Sequence, residues 1–105
     1  MRTLSTEQEV DELFGKPLVI VYKHSTRCSV SSLAHREMEM FAAGHPDHEV
    51  FKIDVIEDRS VSDYVEERTG IPHQSPQLLV LRDGEVVWST SHFGVTARAL
   101  VEELS

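Results

Sequence analysis

The chain has 105 residues, 40% of them hydrophobic, which suits one domain over residues 1–105 with a modest core and leaves no room for a second. Eighteen acidic against ten basic side chains give a formal net charge of -8, mixed along the chain rather than blocked, which argues against nucleic acid as a partner. The longest apolar run, Leu18 to Val21 with Tyr22 after it, falls far short of the roughly 20 residues a membrane-spanning helix needs, and Met1 to Glu7 contains no apolar signal region, so no membrane partner and a cytoplasmic location are expected.

Ser5 and Thr6 stand ahead of Glu9 and of apolar Val10, Leu13 and Phe14, a capping-box start to a short helix that Gly15 and Pro17 end. Leu18 to Tyr22 is a β-branched run that reads as a central strand covered on both faces. After the polar stretch Lys23 to Arg27, Val30, Leu33, Ala34, Met38, Phe41 and Ala42 follow the apolar stripe of a helix. Gly44 to Asp47 reads as a turn, and Val50 to Val55 alternates as a second strand. Ser60 and Asp63 have capping-box spacing for a third helix, with Val61, Tyr64, Val65 and Arg68 on one face before Gly70 and Pro72. Gln77 to Arg82, the turn Asp83-Gly84 and Glu85 to Ser89 give a strong hairpin signal. Gly94 and Thr96 then introduce a last helix with Ala97, Leu100, Val101 and Leu104 facing inward.

The order is αβαβαββα. A helical crossover makes the first two strands parallel and the hairpin makes the last two antiparallel, so the expected architecture is a mixed four-stranded sheet with helices on both faces. The chain contains no internal repeat, linker or low-complexity segment.

Cys28 is the sole cysteine, so an internal disulfide is excluded. A lone cysteine is often a small buried hydrophobe. Cys28, however, precedes the apolar stripe instead of lying on it, at a strand-to-helix junction where backbone N–H groups and the helix dipole favour a thiolate. A free thiol ionises near pH ~8.5, and a helix start with adjacent cations, here Arg27 and His24, can bring that toward ~7. Ser31 follows at the offset where a dithiol exchanger carries its resolving cysteine, and from the first helical turn its hydroxyl is expected to face the sulfur. With serine there, release must come from an outside thiol, which makes the exchange monothiol.

Ser75-Pro76 precedes the third strand, where proline's missing N–H is tolerated and an ordinary trans bond is the base expectation. His24, His35, His45, His48, His73 and His92 show no known zinc spacing, so no metal is expected and they read as solvated surface groups. His24 is the exception, placed to tune Cys28, to relay protons, or to sit in the strand end doing neither. Trp88, Met38 and Met40 read as packing residues.

Strand, Cys-x-x-Ser at a helix start, crossover, helix, X-Pro, hairpin, glycine and helix together resemble thioredoxin over nearly the whole chain. Lys23 to Ser31 and Gly70 to Gln77 resemble the corresponding segments of the YtxJ-like monothiol bacilliredoxins, thioredoxin-superfamily proteins of the bacillithiol system. The family's usual Thr-Cys-Pro-Ile-Ser is here Arg27-Cys28-Ser29-Val30-Ser31, which removes a rigid proline and adds a charge beside the sulfur.

The resemblance implies a thioredoxin-like fold, Cys28 as nucleophile and Ser31 in the lost resolving position. It implies a cis Pro76, a Ser75 backbone that pairs with a substrate chain, Gly94 in the adjacent groove loop, and Thr26 and Arg27 as substrate contacts. It further implies removal of bacillithiol, or a similar low-molecular-weight thiol, from S-thiolated cytosolic proteins by a monomer, with the small thiol as co-substrate and no permanently bound cofactor. A binding or adaptor module that uses the same groove without turnover is the competing expectation.

Overall fold

The computed structural model describes every residue except Cys28. The apolar run expected at the centre of the sheet forms β2 (Leu18–His24), between β3 (Val50–Asp54), which is parallel to it, and β4 (Gln77–Arg82), which is antiparallel. β1 (Arg2–Thr3) lies parallel beside β3 and β5 (Glu85–Ser91) antiparallel beside β4, giving the order β1-β3-β2-β4-β5. The sheet therefore has five strands where four were expected. Two exposed residues carry no alternation to read, and β1 is defined by its ladder to β3 and the continuing bond from Leu4 N–H to the Lys52 carbonyl at 2.8 Å.

Two apolar layers separate cleanly by the period of the strands. On one face Val19, Val21, Phe51, Ile53, Leu79 and Leu81 pack beneath α1 (Glu7–Leu13) and α3 (Arg59–Thr69). On the other, Ile20, Tyr22, Val50, Leu78 and Val80 meet α2 (Ser29–Gly44) and α4 (Ala97–Leu104). Neither face of β2 reaches water, as its run of branched residues predicts.

The capping box of α1 forms as read: the Thr6 hydroxyl accepts from Glu9 N–H at 3.1 Å, and the Glu9 carboxylate accepts from Thr6 N–H at 3.1 Å. The one expected at Ser60 does not. α3 begins at Arg59 with Asp58 as its cap and no side-chain capping bond, because two turns of backbone accepted by Asp54 and Asp58 carbonyls already close its start. α4 is capped instead by the Thr96 hydroxyl, which accepts from Ala99 N–H at 3.1 Å.

Four residues expected on apolar faces or in the polar stretch lie elsewhere. Leu33 and Val101 point outward, because the buried stripe of α2 runs through Ser31, Ala34, Met38 and Phe41, and α4 buries only Leu100 completely. The polar stretch after Tyr22 begins later than read, since Lys23 and His24 continue β2 as buried strand residues.

Asp83 and Gly84 both take positive φ, 51° and 83°, which is the tight hairpin turn that the Asp-Gly pair requires. A Cβ on Gly84 would lie 2.9 Å from the Phe14 carbonyl oxygen, a backbone atom that cannot swing away. Gly84→Ala should therefore cost about 1–3 kcal/mol in denaturant titration. Gly44→Ala, with nothing within 4 Å of the added carbon at the last turn of α2, should be neutral or slightly stabilising.

Candidate active site

Four chain segments end at one edge of the sheet because of how the strands run. β2 and β3 are parallel, so both deliver their C-terminal ends there, and the antiparallel β4 begins there and β5 ends there. The register fixes the match: Lys23 pairs with Gln77, so the residues following β2 lie beside those preceding β4. Gln77 pairs in turn with Ser91, and His92 N–H donates to the Pro76 carbonyl at 2.9 Å, which brings the turn His92–Gly94 to the same edge. Residues 25–27, 75–76 and 92–94 are thus gathered by topology, the arrangement in which open α/β sheets place their chemistry.

Cys28, the expected nucleophile, lies outside the described residues. Its flanks are described. Thr26 and Arg27 form an exposed turn, and Arg27 N–H donates to the Ser25 hydroxyl at 3.3 Å. α2 starts at Ser29.

Ser31 has partners that its spacing from Cys28 did not indicate. It is fully buried, and its hydroxyl oxygen accepts from Ser25 N–H at 3.4 Å, so it closes the loop that carries Cys28. Its carbonyl lies 3.3 Å from the Tyr22 hydroxyl, which is also 2.7 Å from His24 Nδ1. The phenol has one proton: it goes to the Ser31 carbonyl when Nδ1 of His24 is protonated, and to His24 when Nδ1 is bare. In the first arrangement the phenol fastens the first turn of α2 to β2.

His35 departs from the surface reading, and His24 takes the strand-end placement that was one of its expected alternatives. The His24 ring is buried at the strand end, 4.8 Å centre to centre from His35 on α2, and His35 Nδ1 is buried without a partner among the described residues. Burial, then the neighbouring His35 and Lys52, hold the His24 ring below its usual pKa. Burial raises the Tyr22 phenol well above its ordinary value, with Glu39 adding to the shift, so it stays a neutral donor.

The opposite face of the same strand end is occupied by Lys23, which is completely buried. Its Nζ donates to the Ser62 carbonyl of α3 at 3.0 Å and lies 3.3 Å from His73 Nδ1, which is also 3.3 Å from the Ser62 hydroxyl. Burial pulls Lys23 down to about 8 against the partial support of Glu66 and Asp63, neither of which is within ion-pair distance. His73 is lowered by burial and then by Lys23 itself. Neither Lys23, His73 nor His35 was singled out in the sequence. The available signal was a lysine directly continuing a strand buried on both faces.

The Ser75–Pro76 bond is cis, as the resemblance implies. Pro76 is buried, and the Ser75 hydroxyl is buried without a partner among the described residues. Gly94 allows a close approach, since a Cβ there would meet Thr90 Oγ1 at 2.1 Å. Beside it, a groove of about 280 Å³ runs between α2 and the 92–96 turn, lined by Val30, Leu33, His92 and Phe93, with Phe93 76% exposed. Among the described residues no group of three or more His, Cys, Asp or Glu converges as a metal site, and no helix is long and apolar enough to cross a membrane.

Two titrations follow from these buried groups. Between pH 8 and 10.5 the folded chain releases the Lys23 proton while the unfolded chain still holds it, so stability rises with pH across that window relative to Lys23→Met. The gain should be at most about 3 kcal/mol, read from chemical denaturation of both variants at each pH. His24 has the acid-side counterpart: its proton is taken up near 6.5 in the unfolded chain and only at lower pH in the folded one, so stability falls on acidification below that point. His24→Asn should make the decline in thermal midpoint from pH 7 to pH 5 shallower.

A family model described as monothiol bacilliredoxin BrxC matches residues 2–100. Among solved structures, a thioredoxin-fold protein assigned as an oxidoreductase is 27% identical, with a TM-score of 0.90 and coverage of 99% of this chain and 93% of the other. Thioredoxin from Plasmodium falciparum is 20% identical with a TM-score of 0.80 over 100% of both chains. Fasciola hepatica thioredoxin is 20% identical with a TM-score of 0.77, covering 99% of this chain and 96% of its own. The last two likenesses establish the fold.

Proposed function

Since the chain belongs to the monothiol bacilliredoxin family and is a thiol–disulfide oxidoreductase of thioredoxin fold, we propose that Cys28 removes bacillithiol, or a similar low-molecular-weight thiol, from protein mixed disulfides in the cytoplasm. The observation that carries the reading is the family match over nearly the whole chain, joined to a sequence with one cysteine, at position 28.

The Cys28 thiolate attacks the small-thiol sulfur of the mixed disulfide. A new S–S bond forms between Cys28 and the small thiol, the old one breaks, and the protein leaves as a thiolate that takes up a proton. A second small thiol, as thiolate, then attacks the small-thiol sulfur on Cys28. This forms the symmetric small-thiol disulfide and returns Cys28 as thiolate. One protein mixed disulfide and one small thiol are consumed, and one protein thiol and one small-thiol disulfide are produced. A Cys28 pKa near ambient pH serves both steps, since a more acidic sulfur leaves better but attacks more weakly.

The substrate chain lies along Ser75, pairing with its backbone. Thr26 and Arg27 face it from the turn before Cys28, and Gly94 leaves room for it on the far side. The exposed positions of Thr26 and Arg27 support this placement. Ser31 occupies the resolving position without a thiol, so turnover depends on the external small thiol. The protein acts as a monomer, with no permanently bound cofactor and no metal.

Family membership in an oxidoreductase class weighs against an adaptor that binds without turnover. A bacillithiolated test protein incubated with the wild-type chain and free bacillithiol should lose the adduct, with a transient bacillithiol mass on Cys28. Cys28→Ser should reduce the rate to that of bacillithiol alone. Full activity in Cys28→Ser would sink the mechanism. Faster release from a glutathionylated protein than from a bacillithiolated one would assign a different small thiol to it.

A further inference from the structure

We propose that Lys23 and His73 are positioning residues for the exchange reaction: Lys23, from beneath the sheet, fixes the His73 ring and thereby holds segment 71–76 in place to receive the substrate chain. The inference rests on the proposed role of Ser75 and extends it to residues that do not touch substrate.

Segment 71–76 runs from the end of α3 to the start of β4 without belonging to either. It has no ladder of its own, so its position depends on a few contacts. Ile71 N–H donates to the Thr69 hydroxyl at 3.2 Å, His73 N–H donates to the Glu66 carboxylate, and the Pro72 carbonyl accepts from Gln77 Nε2 at 3.0 Å. These partners belong to α3 and β4, the elements that the segment itself connects, and at its last residue the Pro76 carbonyl accepts from His92 N–H at 2.9 Å, beyond β5. The contact that reaches the central strand is Lys23 Nζ to His73 Nδ1 at 3.3 Å.

Lys23 is suited to this because of its register and its environment. It pairs with Gln77, the residue directly after Pro76, so its side chain leaves β2 at the level where the segment arrives. It is buried with the Ser62 carbonyl and the His73 ring as its two polar partners, and a buried ammonium deprived of one of them would be left with an unsatisfied charge. His73 is therefore held tightly. Its Nδ1 accepts from both Lys23 and the Ser62 hydroxyl, which fixes the neutral ring with its proton on Nε2. Asp63, Glu66 and Arg59, all on α3, are the other charged groups facing the pair, and none forms an ion pair with Lys23 or His73 within 4 Å among the described residues.

The test compares wild type, Lys23→Met, His73→Ala and His73→Asn on two substrates. One is a protein mixed disulfide, which would lie along segment 71–76, and the other is a small symmetric disulfide, which needs only the sulfur. Lys23→Met and His73→Ala should raise KM for the protein substrate about tenfold with kcat within twofold, and leave the rate with the small disulfide unchanged. His73→Asn keeps an acceptor oxygen near the Nδ1 position and should recover most of the loss. Amide hydrogen exchange gives an independent readout, with protection in residues 71–76 falling about tenfold in Lys23→Met while β2 and β4 are unaffected. Equal losses on both substrates, or unchanged KM and unchanged exchange in 71–76, would overturn the proposal. A wild-type chain inactive on every protein mixed disulfide would instead sink the proposed function, and the exchange measurement would still decide whether Lys23 holds the segment.

Discussion

The end of β2 must satisfy polar groups on both of its faces at once, and the rest of the reactive edge is arranged around that requirement. A central strand between β3 and β4 has no solvent side, so every side chain up to His24 is enclosed. Where the sequence turns polar before the strand has ended, each polar atom needs a partner in the adjoining layer. Tyr22 reaches the Ser31 carbonyl of α2 and the His24 ring, which packs on His35 of that helix, and Lys23 finds its partners in α3 and the segment before β4. Alternation along three consecutive residues thus fastens the two flanking layers to the strand that leads into Cys28.

This division has a chemical consequence. Toward α2 the strand presents a phenol that stays protonated and one imidazole, His24, held below its usual pKa. The face toward α3 contains the ammonium. A charge buried there cannot be released by rotation into water, so its geometry is more rigid than that of a surface lysine, and rigidity is what a coil segment needs from an anchor. Burying that charge lowers the stability of the fold, and it is the kind of local cost that persists where a backbone must be held in one place for binding.

Most of the architecture was legible in the sequence, because period and turn chemistry are local. The branched run Leu18 to Tyr22, the Thr6–Glu9 box, the stripe through Ala34, Met38 and Phe41, and the Asp83-Gly84 turn each have one dominant reading, and each forms. The failures are equally physical. Arg2–Thr3 is too short to show a pattern, Ser60 has capping spacing but lies inside a helix already started at Arg59, and Leu33 is apolar yet displaced from the buried face by one position. Lys23 and His24 were read as the start of a polar stretch because polarity usually marks a strand's end, with the strand end as one alternative for His24. Their burial is decided by Ser62, His73 and His35, residues 11 to 50 positions distant, which no local window can see.

Ser31 has a structural role beside the one its spacing implies. The spacing from Cys28 invites a comparison with a resolving cysteine, and from that comparison the hydroxyl was expected to face the sulfur. In the fold it is fully buried, and its oxygen receives the Ser25 N–H. A thiol in its place would be a weaker acceptor for that N–H. The serine therefore does more than remove a second thiol: it exchanges a redox group for a fixed bond across the loop. Among the described residues, the Ser25–Ser31 bond closes the loop while Thr26 and Arg27 are exposed. A closed loop with an open outer surface suits a reaction completed by a thiol from solution, since nothing within the chain competes with that thiol for the mixed disulfide.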